Sequence, residues 1–324
     1  MGAVAVVFFA MRMTAKALCL YSWGADDVLI IVSFVFLISF VIIIQLMIPQ
    51  GLGLDIWVLS DGQITAFLKY FFVLQTDYTL ALALIKSSIL CFFLRIFPDT
   101  KFRIAVWGTL VVNILTGLIF VILNFFQRRP LSLMWEGWKD MPPRGVVLDL
   151  DKMALSHSFI NIALDAWMLI LPLTQLYKLG LKLKKKIGVI AMFSVGLFLT
   201  VVSIVRVLSI LNFTTAKHAT ASDSQWAMIW SCIEVCVGVM VACMPHTRQL
   251  VMYLLSMSKA RSAPDTNSGS EQVFINRSLE RIFDLDSDGT TPAVSDKGGC
   301  CRPGRPARND PVALSHVGDA GAKV

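Results

Sequence analysis

MALSHSFINIALDAWMLILPLTQL (residues 153–176) and IGVIAMFSVGLFLTVVSIVRVLSIL (residues 187–211) are the two segments whose reading decides the fold. Each is long enough to cross a bilayer, because about 20 apolar residues in a helix span the roughly 30 Å hydrocarbon core. The linker between them, Tyr177 to Lys186, carries five lysines in ten residues: Lys178, Lys182, Lys184, Lys185 and Lys186. Short loops dense in Lys and Arg stay on the cytoplasmic side, so this linker orients both helices. Within the first segment His157, Asn161 and Asp165 recur at i, i+4 and i+8, which places them on one polar stripe. The second segment carries Arg206. A charge in lipid is costly and normally faces a protein interior or a wet cavity, so these positions are where function is sought.

Composition agrees with a polytopic membrane protein. Of 324 residues, 56% are hydrophobic and only 16% are charged, with a mean hydropathy of +0.69; a soluble domain carries about 25% charged residues. The net charge of +7 comes from basic residues clustered in loops beside spans and in the tail, where they act as topology signals. A nucleic-acid partner is not expected. The seven cysteines fall at span edges (Cys19, Cys91), in one apolar segment (Cys232, Cys236, Cys243) and in the tail (Cys300, Cys301). That pattern predicts neither a metal site nor an extracellular disulfide.

The chain reads as an all-α bundle of six full spans after a truncated first helix, over residues 1–257, with a disordered cytoplasmic tail at 258–324. The first apolar run, Ala3 to Met11, reaches only about 14 Å at 1.5 Å per residue, half a span. It fits a chain shortened at its start, or a re-entrant or interfacial helix. Asp26 and Asp27, ahead of the span Val28–Ile48, read as a helix cap with dipole compensation. Spans at Tyr70–Phe97 and Ile104–Phe126 follow, flanking Pro98 and the basic residues Lys101 and Arg103. The long loop Gln127–Lys152 carries Arg128 and Arg129 against the positive-inside rule. Arg95, Lys101, Arg103 and the lysine-rich linker outweigh it, so the C-terminus is expected in the cytoplasm. A last span, Gln225–Met244, is expected to stop at Pro245. Ser270 to Phe283 holds a short apolar face suited to a surface helix. The Asp284-Leu-Asp286-Ser-Asp288-Gly289 run lacks the bidentate Glu that a calcium loop requires, so it predicts no metal. Asn212-Phe-Thr214 is a glycosylation sequon in an external loop close to the membrane.

Five charges lie inside spans: Asp77, Lys86, Asp165, Arg206 and Glu234. Counted from the outer ends, Arg206 lies about 8 Å deep, Asp77 about 10 Å, Glu234 about 14 Å, Asp165 about 18 Å and Lys86 about 24 Å. Depth therefore matches Arg206 with Asp77 and Glu234, while Lys86 reaches either Asp165 or, by snorkelling, the inner surface. The charges sum to minus one, so one carboxylate is unmatched or protonated. Two readings stay open. Either the pairs hold the bundle together, or Asp77, His157, Asn161, Asp165, Arg206 and Glu234 line an outward-facing ligand cavity. The last span has no lysine for a retinal Schiff base, so no cofactor is expected.

With these residues in hand, the chain resembles the fungal rhodopsin-domain family of seven-helix proteins, also called the satratoxin-cluster membrane protein family. The resemblance rests on Trp23-Gly-Ala-Asp26-Asp27, Gly51-Leu-Gly53, and Lys86 followed by Leu94-Arg95-Ile96-Phe97. It continues through Pro130 with Trp135, Asn161-x3-Asp165-x6-Pro172, Lys186-x9-Gly196-x9-Arg206, and Trp230-x3-Glu234 ahead of Pro245-x2-Arg248. It implies a receptor-like bundle in a fungus, some of whose relatives are encoded beside secondary-metabolite genes. Two departures stand out: the extracellular cysteine-rich module and most of the first helix are missing, and Gln127-Arg128-Arg129-Pro130 stands where relatives commonly place a disulfide cysteine.

Three functions compete. A receptor would sense a small molecule in the outer cavity and offer Arg95, Lys101, Arg103, Lys182, Lys184, Lys185 and Lys186 to a cytoplasmic signalling protein. An intramembrane terpene cyclase or isomerase would use Asp165 or Glu234 as a general acid. A transporter or accessory protein of secondary metabolism is the third. Neither Asp-Arg-Tyr nor Asn-Pro-x-x-Tyr occurs at the expected helix ends, so coupling like that of animal receptors is not implied. The plasma membrane and an endomembrane are equally compatible with the sequence.

Overall fold

The computed structural model describes residues 1–18, 23–54, 58–139, 146–147, 150–179, 183–215 and 221–261. Seven of its helices are long: α1 (Gly2–Ala17), α2 (Ala25–Met47), α3 (Asp61–Ile96), α4 (Thr100–Phe125), α6 (Leu150–Leu179), α7 (Leu183–Thr215) and α8 (Ala221–Arg261). A single turn, α5 (Leu133–Glu136), sits in the long loop between α4 and α6. So does a two-stranded ribbon that pairs Arg128 with Val147 and Arg129 with Val146. The chain is an all-α membrane bundle. Among the described residues, five helices are long and apolar enough to span a bilayer, and α7 adds a shorter apolar stretch, Gly196–Leu211.

The period of burial explains the packing. On α2 the buried residues are Asp26, Asp27, Ile30, Ser33, Leu37, Phe40 and Met47, which after the first turn keep the spacing of one helix face, while Val28, Val32, Val35, Ile38 and Ile42 point outward. On α4 the same rhythm buries Phe102, Val106, Thr109, Asn113, Gly117, Phe120 and Asn124. Here the outer face is as apolar as the inner one, as lipid rather than water requires. Helix α3 is the hub, packed against α2, α4, α8 and α5. Its contact with α4 is close because Gly117 carries no side chain; a Cβ there would lie 2.9 Å from that of Ala83. Asn113 on α4 seals the seam by donating to the Ala83 carbonyl (2.9 Å) and to Ser87 Oγ (3.0 Å).

Several expected boundaries move. α3 begins at Asp61 rather than near Tyr70, because Ser60 and Gln63 form a capping box. α8 does not stop at Pro245: it runs through to Arg261, with the proline inside the helix, as Pro172 is inside α6. Buried prolines survive in membrane helices where neighbours compensate the lost hydrogen bond. Here Arg12 Nη1 donates to the Ala242 carbonyl at 2.7 Å, next to the Val241 carbonyl that Pro245 leaves without its helical donor. Much of the lysine-rich linker is helix: Lys178 is in the last turn of α6, and Lys184, Lys185 and Lys186 are in the first turn of α7, while Lys182 lies outside the described residues. Asn212 belongs to the last turn of α7, not to a loop. The tail from Ser262 onward, with the segment Ser270–Phe283, lies outside the described residues.

The basic loop after α4 has a structural use for its charges. Arg129 lies over the Phe126 ring at 4.4 Å, Arg128 Nη1 donates to the Leu133 carbonyl at 2.8 Å, and Lys69 of α3 sits over Trp135 at 5.5 Å. Those contacts fold the loop onto the end of α3.

Candidate functional site

One buried polar network joins α3, α6, α7 and α8. The stripe predicted on α6 faces inward, and Lys86 of α3 meets it: Nζ lies 3.0 Å from Asp165 Oδ1 and donates to Asn161 Oδ1 (2.8 Å) and to the Asn161 carbonyl (3.0 Å). Asn161 Nδ2 in turn donates to His157 Nε2 at 2.9 Å. The His157 ring is held edgewise between Tyr78 and Phe120, with centroids 6.1 and 4.7 Å away.

A second charge pair adjoins the first. Arg206 Nε of α7 lies 3.7 Å from Glu234 Oε2 of α8. Its donors go to Ser231 Oγ (2.9 Å) and Ser158 Oγ (3.1 Å), and its guanidinium stacks 4.2 Å over the Tyr78 ring. Glu234 accepts from the Tyr78 hydroxyl (2.6 Å) and from Ser203 Oγ (2.7 Å). The same Ser203 oxygen is 3.4 Å from Asp165 Oδ2. Two cations and two carboxylates thus balance in one connected set, bridged by a single hydroxyl.

Asp77 stands apart from it. Its Oδ1 accepts a hydrogen bond from Ser39 of α2, and its Oδ2 has no hydrogen-bond partner among the described residues. Among the described residues Arg206 turns to Glu234 alone of its two depth-matched carboxylates. The reason is angular: Asp77 and Tyr78 are neighbours about 100° apart on α3, so Tyr78 faces α8 while Asp77 faces α2. Asp77 is therefore the surplus carboxylate that the charge count required.

A third cluster escaped the sequence reading. Asp26 and Asp27 are 3% and 0% exposed, and Arg12 and Lys16 of α1 are 0% and 2% exposed. Arg12 Nη2 donates to Asp26 Oδ2 (2.7 Å) and Asp27 Oδ1 (2.8 Å), and Lys16 Nζ lies 2.7 Å from Asp27 Oδ2. Arg95 Nη1 lies 3.5 Å from Asp26 and His246 Nε2 lies 3.8 Å from it. Capping is real as well, since the Gly24 N–H donates to Asp27 Oδ2 at 3.0 Å; the ion pairs come in addition to it. The signal was present: Arg12 and Lys16 are four residues apart on one face of a short apolar helix, a face that needs acids opposite it. Asp26, Asp27 and His246 bring ligand atoms within 4.8 Å of one another, and the carboxylate oxygens there already hold Arg12 and Lys16. Arg95 was expected on the basic inner face, and it leans into this cluster.

Below the network, toward the α6–α7 turn, a cavity of about 110 Å³ opens between α3, α6, α7 and α8. Phe93, Met168, Leu199 and Val241 line it, and among the described residues Asp165 is its only charged lining group. Pro172, Gly196 and Pro245 also border it, so it coincides with weak points of three helices. Of the proposed cavity residues it contains Asp165 alone. His157, Asn161, Arg206 and Glu234 are spent on one another, in the half of the bundle where an open pocket was expected.

Comparison with known proteins fixes the family. The model of the "Fungal rhodopsin domain" family matches residues 11–253. The chain belongs to that family. Its curated relatives include "Fugralins biosynthesis cluster protein 2" of Gibberella zeae, 24% identical over 231 residues, covering 68% of this chain and 50% of that protein. A "SAT4 family membrane protein" of Emericella nidulans is 24% identical over 215 residues, 65% of this chain and 53% of the relative. "Receptor GIN3" of Arthrobotrys oligospora is 24% identical over 212 residues, 63% of this chain and 50% of the receptor. The chain thus spans about half the length of these relatives. No solved structure matches it. Like other family members, it is an integral membrane protein.

Proposed function

We propose that this chain is a receptor-like membrane protein, at the plasma membrane or an internal membrane, that turns occupancy by a small molecule into a shift of helices. The observation that carries the reading is the Ser203 bridge. One hydroxyl on α7 sits between Asp165 on α6 and Glu234 on α8, and each carboxylate faces its own cation. The single Ser203 proton can serve only one of the two carboxylates at a time, and a change of partner that moved helices would supply the bistable buried element that signalling across a bundle requires. The relative named as a receptor supports the same reading. With the lysine-rich turn in the cytosol, exposed Lys101 and Arg103 would offer a basic face to an acidic signalling partner, and the lysines of the turn would add positive charge on the same side of the membrane.

A cyclase-type enzyme fits less well, since its general acid must be free beside substrate, whereas Asp165 faces Lys86 and Glu234 is hydrogen-bonded by Tyr78 and Ser203. A second reading, service to a secondary-metabolite pathway as transporter or accessory protein, draws on the relative named for a fugralin biosynthesis cluster.

Deletion of the gene, with metabolite profiling and a cyclic-AMP readout, separates the two. An altered second-messenger response with unchanged metabolites is expected. A lost or rerouted metabolite with normal signalling would overturn the receptor reading. An Arg206→Leu protein that folds and keeps the full response would remove the network from it.

A further inference from the structure

We infer that the cavity between α3, α6, α7 and α8 takes the apolar part of a small alcohol or amine, whose hydroxyl or ammonium hydrogens meet Asp165. The inference deepens the receptor reading and rests on it for its purpose, although binding is measurable without any signal.

Size comes first. A cavity of about 110 Å³ is close to the roughly 150 Å³ apolar cavity that admits benzene, so it holds one ring or a chain of about six carbons. Its walls, Phe93, Met168, Leu199 and Val241 among them, are hydrocarbon or thioether, which favours an alkyl or alicyclic group over a sugar or a nucleotide.

Head-group chemistry follows from Asp165, the charged group of the described lining, which is an acceptor. Asp165 offers about four lone-pair positions; Lys86 Nζ at 3.0 Å takes one of them, while the single proton of Ser203, 3.4 Å away, goes to Glu234 at 2.7 Å. Pro172 and Pro245 have no N–H, so the carbonyls four residues earlier, those of Met168 and Val241, lose their helical donor; the residues that carry them border the cavity. An apolar cavity whose charged lining group is a carboxylate selects a donor-bearing ligand and rejects a carboxylate, which would face Asp165 with like charge. A ligand ammonium would also share Asp165 with Lys86, and so weaken the link that ties α3 to α6.

The test uses the purified full chain in phosphatidylcholine nanodiscs and three probes of one shape: cyclohexylmethylamine, cyclohexylmethanol and cyclohexanecarboxylate. Binding is read by saturation-transfer NMR against a Val241→Phe variant, which fills the cavity from an apolar wall and leaves every polar group in place. Size-exclusion and thermal melts establish that this variant is folded, and Leu199→Phe serves if it is not. The expected result is saturable binding of the amine and the alcohol, weakened at least tenfold by the filling substitution, with the carboxylate weaker by a similar factor. Equal signals from all three probes, signals unchanged in the filled variant, or no saturable binding of any probe would each overturn the inference. Binding without a cellular response would sink the receptor reading alone; a cellular response that survives the filled cavity would sink this site alone.

Discussion

Replacing Asp27 by Ala tests the cluster that fastens α1 to the bundle. Asp27 Oδ1 accepts from Arg12 Nε (3.2 Å) and Nη2 (2.8 Å), while Oδ2 accepts from the Gly24 N–H (3.0 Å) and lies 2.7 Å from Lys16 Nζ. Without it, Arg12, Lys16 and Arg95 face Asp26 as the one carboxylate left of the pair, in a site where Asp26 is 3% exposed. Breaking a buried ion pair from one side costs about 3–5 kcal/mol, because the remaining charge stays desolvated. At about 2–4 °C per kcal/mol for a chain of this order of size, the melting temperature should fall by roughly 6–20 °C. The assay is a tryptophan-fluorescence melt in nanodiscs, with the exposed Asp61→Ala as a control expected to shift by no more than a few degrees. Adding Lys16→Met to Asp27→Ala removes one stranded cation and should recover about 0.5–3 kcal/mol, the usual coupling of contacting charges. A single variant that melts within 2 °C or so of the parent, or a Lys16→Met effect that simply adds, would refute the account of these residues as one interdependent unit.

Tyr78→Phe removes the 2.6 Å hydrogen bond to Glu234 and keeps the ring under Arg206; a loss of about 1.5–3 kcal/mol is expected for a bond to a charged group, read by the same melt. Gly117→Val drives a side chain into Ala83 and should cost about 1–3 kcal/mol as overpacking, with Gly117→Ala intermediate between it and the parent. An epitope tag after Val324 should be reached by antibody only in permeabilised spheroplasts; staining of intact ones would invert the bundle and move the basic face outside.

Most of the architecture was legible because lipid imposes a simple rule of long apolar helices with charged turns. The α6 stripe of His157, Asn161 and Asp165 could be read because a period of four on an apolar helix has one geometric meaning, and depth left Lys86 two choices, Asp165 or the inner surface, of which the structure takes the first. Depth could not say that Asp77 looks toward α2, since helix rotation is set by packing. Tyr78 and Ser203 were passed over because inside a span they look like ordinary filling; only the structure shows that each hydroxyl donates to Glu234. The α1–α2 cluster was hidden by a correct local explanation, a cap at Asp27, which left no reason to seek a further partner. Helix ends at Pro245 and in the lysine-rich linker were misplaced because proline and lysine mark boundaries in water, while neighbouring helices and headgroups allow the coil to continue here.

The unbroken course of α8 has a mechanical consequence. Forty-one residues make a rod about 60 Å long, twice the thickness of the oily layer it crosses, and the portion after Pro245 accounts for about 24 Å of it. Proline is where such a rod bends most easily. A swing of roughly 10° about that joint would carry Arg261 some 4 Å sideways by lever arithmetic, so an adjustment smaller than a bond length beside Val241 would be magnified severalfold at the far tip.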